Sequence, residues 1–259
     1  MSELVPANKA FKDVSELLMS KGLQAQLRLA LPKHVTPERL ARIVLTEIRR
    51  TPELLRCTRE SLLGAIIQAA QLGLEPGVLG ECWIIPYGKE ATFIPGYRGM
   101  AQLAWRSDQV ASVAARAVFD GDVFDFDYGS DELKHKPQGE TDPANLTHAY
   151  AIVHIKGGGR IWDVLTRAEI EKVRARSAAS GKGPWVTDYA EMAKKTALRR
   201  LLKLAPCSAE LRTAMALNDA ADSGISQGLD FTMPEEPAPE EKEVSPKKIE
   251  AADAGKAVA

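Results

Sequence analysis

Three turn signals between residues 82 and 165 each separate two apolar or alternating runs. Cys82 to Pro86 and Ala91 to Pro95 flank Tyr87-Gly88-Lys89-Glu90, and Ser112 to Phe119 and Asp122 to Tyr128 flank Asp120-Gly121. Leu146 to Ile155 and Arg160 to Leu165 flank Lys156-Gly157-Gly158-Gly159. Strand-like runs joined by such short tips pair locally and antiparallel. The middle of the chain is therefore expected to be a series of hairpins.

Helical patterns lie on both sides. Thr36 as N-cap and Pro37 at the first helical position predict a helix to Arg50, because proline's missing N–H is not needed there. A second apolar helix is predicted from Arg59 to Leu72, with Gly73 supplying the positive φ that ends it. A short helix follows Gly96-Tyr97-Arg98-Gly99 to about Arg106, and Thr166-Arg167-Ala168-Glu169 opens another as a capping box. The expected fold class is α+β, with the antiparallel hairpins forming a curved sheet packed with flanking helices.

The 259 residues carry 34 Lys and Arg against 35 Asp and Glu, but the near-neutral total conceals a division. From Asp219 to Ala259 there are ten acids and four lysines, which leaves 30 bases and 25 acids in the body. Apolar periodicity fails beyond about Asp219, where Pro234, Pro237, Pro239 and Pro246 lie among glutamates. We expect a flexible leader over 1–25, a core over 26–218, and an acidic disordered tail over 219–259. Cys57, Cys82 and Cys207 are odd in number and form no CxxC pair, which points to a reducing compartment and no zinc site. With no basic-then-apolar N-terminal segment and no long apolar run, a soluble cytoplasmic protein is the expectation.

The most polarised stretch runs from Gly181-Lys182-Gly183-Pro184-Trp185 to Lys203. At about 100° per residue, Ala193, Ala197, Leu198, Leu201 and Leu204 share one arc of a helix. Lys195, Arg199, Arg200 and Lys203 take the opposite arc. Asp188 is read as its N-cap with Glu191 three positions on, and Pro206 marks its end. Between Arg167 and Lys203 ten bases face four acids, and Arg174 and Arg176 load the preceding helix. A solvated face usually mixes its signs; this excess suits a polyanion whose phosphates release counterions on binding. Glycines 181 and 183 permit close backbone approach to phosphate, and Tyr97, Tyr189 and Trp185 are candidates to stack on bases. Trp185, after Pro184, is better suited to packing the helix entrance.

Other chemistry is not supported by the sequence. No GxxxxGK[ST], GxSxG, HExxH or GxGxxG pattern occurs, so nucleotide-driven action has no motif behind it. His148 and His154 share a strand face about 20 Å apart and cannot ligate one metal. Asp120, Asp122, Asp125 and Asp127 form the one enzymatic candidate, a two-metal nuclease site. Their alternation with Phe124, Phe126 and Tyr128 is equally what a half-exposed strand requires.

Four segments in order resemble the RecT family of phage single-strand annealing proteins. They are Ala30-Leu31-Pro32-Lys33-His34-Val35-Thr36 with Thr46-Glu47-Ile48-Arg49; Gln71-Leu72-Gly73-Leu74-Glu75-Pro76-Gly77; Gly96-Tyr97-Arg98-Gly99-Met100; and Gly183-Pro184-Trp185-Val186-Thr187 with Lys194-Lys195-Thr196-Ala197-Leu198-Arg199-Arg200. The resemblance spans about residues 25 to 210. It implies an annealing-protein-like core, no cofactor and no enzymatic activity. It also implies ATP-independent binding and pairing of single-stranded DNA in homologous recombination, by a homo-oligomeric ring or helical filament in a bacterial host. A phage exonuclease and the host single-strand binding protein are the expected partners, besides single-stranded DNA and the annealed duplex. Arg98, Lys194, Lys195, Arg199 and Arg200 match family motif positions. With Tyr97, Arg106, Arg174, Arg176, Lys182 and Lys203 they make up the expected DNA-binding set.

Overall fold

A computed structural model of the chain describes residues 4–33, 35–177 and 179–232. The N-terminal segment is more structured than a loose leader. Helices α1 (Leu4–Leu18) and α2 (Lys21–Ala30) carry Leu18, Leu23 and Leu27 into the core with no exposure, and Ser20 caps α2 by accepting from the Leu23 amide. Leu23 and Leu27 lie one turn apart on α2, so their burial follows from an apolar stripe.

Helix α3 (Pro37–Arg50) begins as expected, with the Thr36 hydroxyl accepting from the Arg39 amide and Pro37 in the first turn. Helix α4 (Arg59–Leu72) is buried along most of its length and ends at Gly73, whose φ of 59° is the left-handed conformation that a side chain disfavours. A hairpin follows, of β1 (Cys82–Tyr87) and β2 (Glu90–Pro95), with Tyr87 opposite Glu90 across a two-residue turn. Helix α5 (Tyr97–Trp105) starts hard against residues 80 and 81. A Cβ on Gly96 would stand 2.1 Å from the Gly80 carbonyl oxygen, and one on Gly99 2.0 Å from that of Glu81. The two glycines flanking Arg98 are thus required by backbone contact.

The strands of the described residues make three sheets, not one. The largest contains β3 (Val110–Phe119), β6 (Leu146–Ile155) and β7 (Arg160–Thr166) in the order β3-β6-β7, all antiparallel. The β6–β7 hairpin turns on Gly157, Gly158 and Gly159, all with positive φ, as the sequence indicates. Asp120-Gly121 does turn the chain, but it does not pair β3 with the next strand. β4 (Val123–Asp127) instead pairs with β5 (Glu132–Lys136), a strand the sequence reading leaves out. The physical reason is aromatic. Phe124 stacks on Tyr150 with centroids 5.9 Å apart, and Tyr128 stacks on Trp162 at 4.6 Å, so this hairpin lies across the outer face of β6 and β7.

The carboxylate of Asp122 fixes the crossing. It accepts from the Phe119 and Gln138 amides at 2.9 and 2.7 Å and lies 3.1 Å from His135 Nε2. These hydrogen bonds, the Phe119 amide first, hold its carboxyl below the usual range. Asp127 accepts from the Gly129 amide and the Ser130 hydroxyl. Two members of the aspartate cluster are therefore occupied in holding turns. Among the described residues no group of three or more His, Cys, Asp or Glu side chains could hold a metal ion.

The inner face of the large sheet is small. Ala115 opposite Ala151 and Ala117 opposite Ala149 give helix α8 (Tyr189–Leu202) room to pack through Ala193, Ala197 and Leu198. After α6 (Arg167–Arg176), which opens with the expected Thr166–Glu169 capping box, the single turn α7 (Pro184–Thr187) leads into α8. Helix α9 (Ala209–Asp222) then packs with α4 on β2.

The acidic segment does not start at Asp219. Asp219 and Asp222 belong to α9, and the chain beyond it remains strapped to the core. Gln227 exchanges hydrogen bonds with the amide and carbonyl of Phe93 at 2.9 and 2.7 Å, and the Phe231 amide donates to the Glu60 carbonyl at 3.1 Å. Residues 233–259, which hold the rest of that expected tail, lie outside the described residues.

Candidate nucleic-acid interface

Helix α8 is amphipathic as expected, but three of its details differ from the sequence reading, the first being that Arg200 turns away from Arg199 and Lys203 to face β7 and α6. Leu204 lies past the helix end and is 78% exposed. Asp188 precedes the first turn without capping it; its carboxylate instead accepts from the Thr187 hydroxyl.

The cationic arc is largely neutralised from within the protein. Arg199 donates to Asp222 and lies 3.6 Å from Asp219, and Lys203 reaches Asp219 at 3.0 Å. Arg200 bridges Asp163 of β7 at 2.7 Å and Glu169 of α6 at 2.9 Å. The Thr166 amide and the Arg200 guanidinium hold the Glu169 carboxyl below its ordinary value. Lys194 pairs with Glu191 at 2.5 Å. Two of the acids responsible, Asp219 and Asp222, come from the segment expected to be a separate tail.

Other members of the expected set are committed elsewhere. Arg106 donates to the Leu72 and Gly73 carbonyls at 2.5 and 2.7 Å, satisfying the C-terminal end of α4. Arg174 donates to the Ser180 carbonyl and lies with Arg167 against the Tyr189 ring, at 5.8 and 5.6 Å. Tyr189 is buried, as is Trp185 at 3% exposure, so these two rings pack the helix entrance.

What remains uncommitted converges on one place. A cleft of about 480 Å³ opens between the β1–β2 hairpin and the α7–α8 entrance. Arg98, Lys195 and Tyr97 all line it, as does the 177–185 loop through Ser177, Ala179, Pro184 and Trp185. Arg98 is exposed, and among the described residues its one hydrogen bond is a long one of 3.4 Å to the Leu79 carbonyl. Lys195 forms no ion pair among the described residues, and burial pushes its ammonium down to about 8 against the partial compensation of nearby Asp222. Lys182 and Arg176 are exposed on the flanking loop and helix end. Among the described residues Arg176 makes only a 3.3 Å bond to the Lys172 carbonyl.

The sequence reading missed the far wall. Trp83, Ile85 and Tyr87 of β1 point into the cleft, with Trp83 39% and Tyr87 37% exposed. The alternation was available, since Cys82 and Ile84 fill the core side. Because every residue from Cys82 to Tyr87 is apolar or aromatic, nothing in composition told which face was open.

Among the described residues no helix is long and apolar enough to cross a membrane. The profile of the RecT family matches residues 38–231, three quarters of the chain. Protein RecT of Escherichia coli (strain K12) is 45% identical over 240 residues, covering 86% of this chain and 89% of that protein. An uncharacterized protein, YqaK of Bacillus subtilis (strain 168), is 27% identical over 217 residues, covering 83% and 75%. The matched span takes in the hairpin, α5, the 177–185 loop and α8, which together form the cleft. The chain belongs to the RecT family of single-strand annealing proteins, which pair DNA strands and catalyse no covalent reaction.

Proposed function

We propose that the protein holds single-stranded DNA along the cleft between the β1–β2 hairpin and the 177–195 segment and presents it for pairing in homologous recombination. The observation that carries this reading is the pair of cations, Arg98 and Lys195, that form no ion pair among the described residues and stand beside an aromatic wall. Lys182 and Arg176 extend the positive rim. A few phosphate contacts give affinity without reading sequence. They also leave the strand free to shift register until a complement is found.

Pairing itself supplies the driving force, about 1.4 kcal/mol per stacked step. Nucleotide hydrolysis has no part in this reading. Protomers assemble into a ring or helical filament, so that successive clefts keep a long strand extended. Residues 233–259, with their glutamates, serve as a recruiting segment for an exonuclease that exposes the strand or for the host single-strand binding protein.

The test is the rate at which two complementary oligonucleotides pair, with no nucleotide present. The protein is expected to accelerate pairing at concentrations that saturate the strand. Tight binding with an unchanged pairing rate would make it a passive coat for single strands instead.

A further inference from the structure

The outward face of β1 is unusual for a hairpin with one covered side. Cys82 and Ile84 are buried against the core, so Trp83, Ile85 and Tyr87 occupy positions that normally carry polar side chains. Ile94, opposite Trp83 on β2, continues this apolar face. Met192 and Trp185 form the opposing wall, so the opening is apolar on both sides. Its volume of about 480 Å³ falls within the roughly 300–1,000 Å³ typical of ligand clefts.

Charge decides what such a cleft can take. Three carboxylates reach its lining, and each already has a partner: Glu191 holds Lys194, Asp222 holds Arg199, and Asp188 holds the Thr187 hydroxyl. Away from Arg98 and Lys195, a phosphate in the cleft would meet these carboxylates. A flat, neutral, aromatic group would not, and it would find ring faces to lie on. Arg98 and Lys195, unpaired among the described residues, complete the lining.

We infer that the cleft is a nucleobase subsite: an unstacked base of the bound strand lies against Trp83 and Tyr87 while its phosphates stay with Arg98 and Lys195. This rests on the single-stranded DNA reading above and adds to it a base-contacting surface that the basic helix lacks. Stacking of this kind tolerates any base, since each has a π-face, and so fits a protein that must accept any sequence. It also ties annealing to base exchange, because a base leaving the cleft is already unstacked from its neighbours.

The experiment compares the full chain with Trp83→Ala, Trp83→Phe and Tyr87→Ala, each binding an oligo(dT) and an abasic oligonucleotide of equal length. A stacked base is worth about 1–3 kcal/mol, so W83A should weaken oligo(dT) binding by about 5- to 150-fold. W83F should restore most of the loss, and wild type should prefer oligo(dT) to the abasic strand. The salt dependence should be the same in W83A and wild type, because no phosphate contact is removed; a merely unfolded variant would lose it. Equal wild-type affinity for the two strands, or W83A binding oligo(dT) as wild type does, would overturn the subsite. So would a W83A change confined to the sedimentation of the DNA-free protein, which would assign the cleft to a second copy of this chain. Failure of wild type to bind either strand would instead remove the single-stranded DNA reading itself.

Discussion

Arg199 of α8 is bound by Asp222 of α9, and this pairing turns the most conspicuous cation of the basic helix into part of the fold. Its side chain is only 16% exposed, Asp219 stands 3.6 Å away, and Asn218 donates to the same Asp222 carboxylate. Asp219 and Asp222, at the C-terminal end of α9, thus tie down the C-terminal half of α8 by ion pairs. The free positive charge is left at the N-terminal half, beside the cleft.

Substituting Asp222→Asn should destabilise the protein by about 1–3 kcal/mol, since a mostly buried guanidinium loses its nearest charge. Urea unfolding followed by circular dichroism measures this. An unchanged midpoint would mean that Arg199 is satisfied by Asp219 and solvent.

Lys195 predicts a pH dependence. Burial lowers its ammonium from 10.5 to about 8, so between those values the unfolded chain binds more protons than the folded one. Stability should therefore rise with pH across that window. A phosphate at Lys195 reverses the preference, because it favours the charged form. Affinity for single-stranded DNA should be flat below about pH 8 and fall above it. Burial, with nearby Asp222, raises the Tyr87 phenol that also lines the cleft, which keeps it protonated across the lower part of the window. Affinities at constant ionic strength test this. Lys195→Arg, with a guanidinium that stays charged, should abolish the decline, and an identical decline in K195R would exclude Lys195 as its source.

The strap over 225–231 gives a third prediction. The Leu229 carbonyl oxygen sits 1.2 Å from where a Cβ on Gly64 would stand, so Gly64→Ala must displace it. We expect a loss of about 1–3 kcal/mol and faster proteolysis near Leu229. Truncation after Asp219 should be similarly destabilising, because it removes Asp222, Gln227 and Phe231. Truncation after Thr232, which keeps all three, is the control. Equal melting temperatures for the two truncations would show that the strap adds nothing.

Features governed by near neighbours were legible in the sequence. Thr36 before Pro37, Gly73 after an apolar helix, the Thr166–Glu169 box and the glycine tip at 157–159 each announce a local conformation, and each forms. Asp120-Gly121 was legible as a turn but not as a change of sheet, because the partner of β3 is decided by β6, which arrives after β4 and β5. The same holds for the site. Charge along α8 was plain, yet its neutralisation depends on Asp163, Glu169, Asp219 and Asp222, which only the tertiary fold brings alongside. Arg98 was legible only as a motif position, and the contact of Gly96 and Gly99 beside it with residues 80 and 81 belongs to the tertiary fold.

The division between neutralised and free cations is tested most directly by the slope of log affinity for single-stranded DNA against log salt concentration. Lys195→Ala and Arg98→Ala should each reduce that slope by about 0.7, the loss of one single-strand phosphate contact. Arg199→Ala should leave the slope of the folded protein unchanged, since its charge is already met by Asp222 and Asp219. A slope reduced by R199A but not by K195A or R98A would contradict the account and return the phosphate contacts to the C-terminal half of α8.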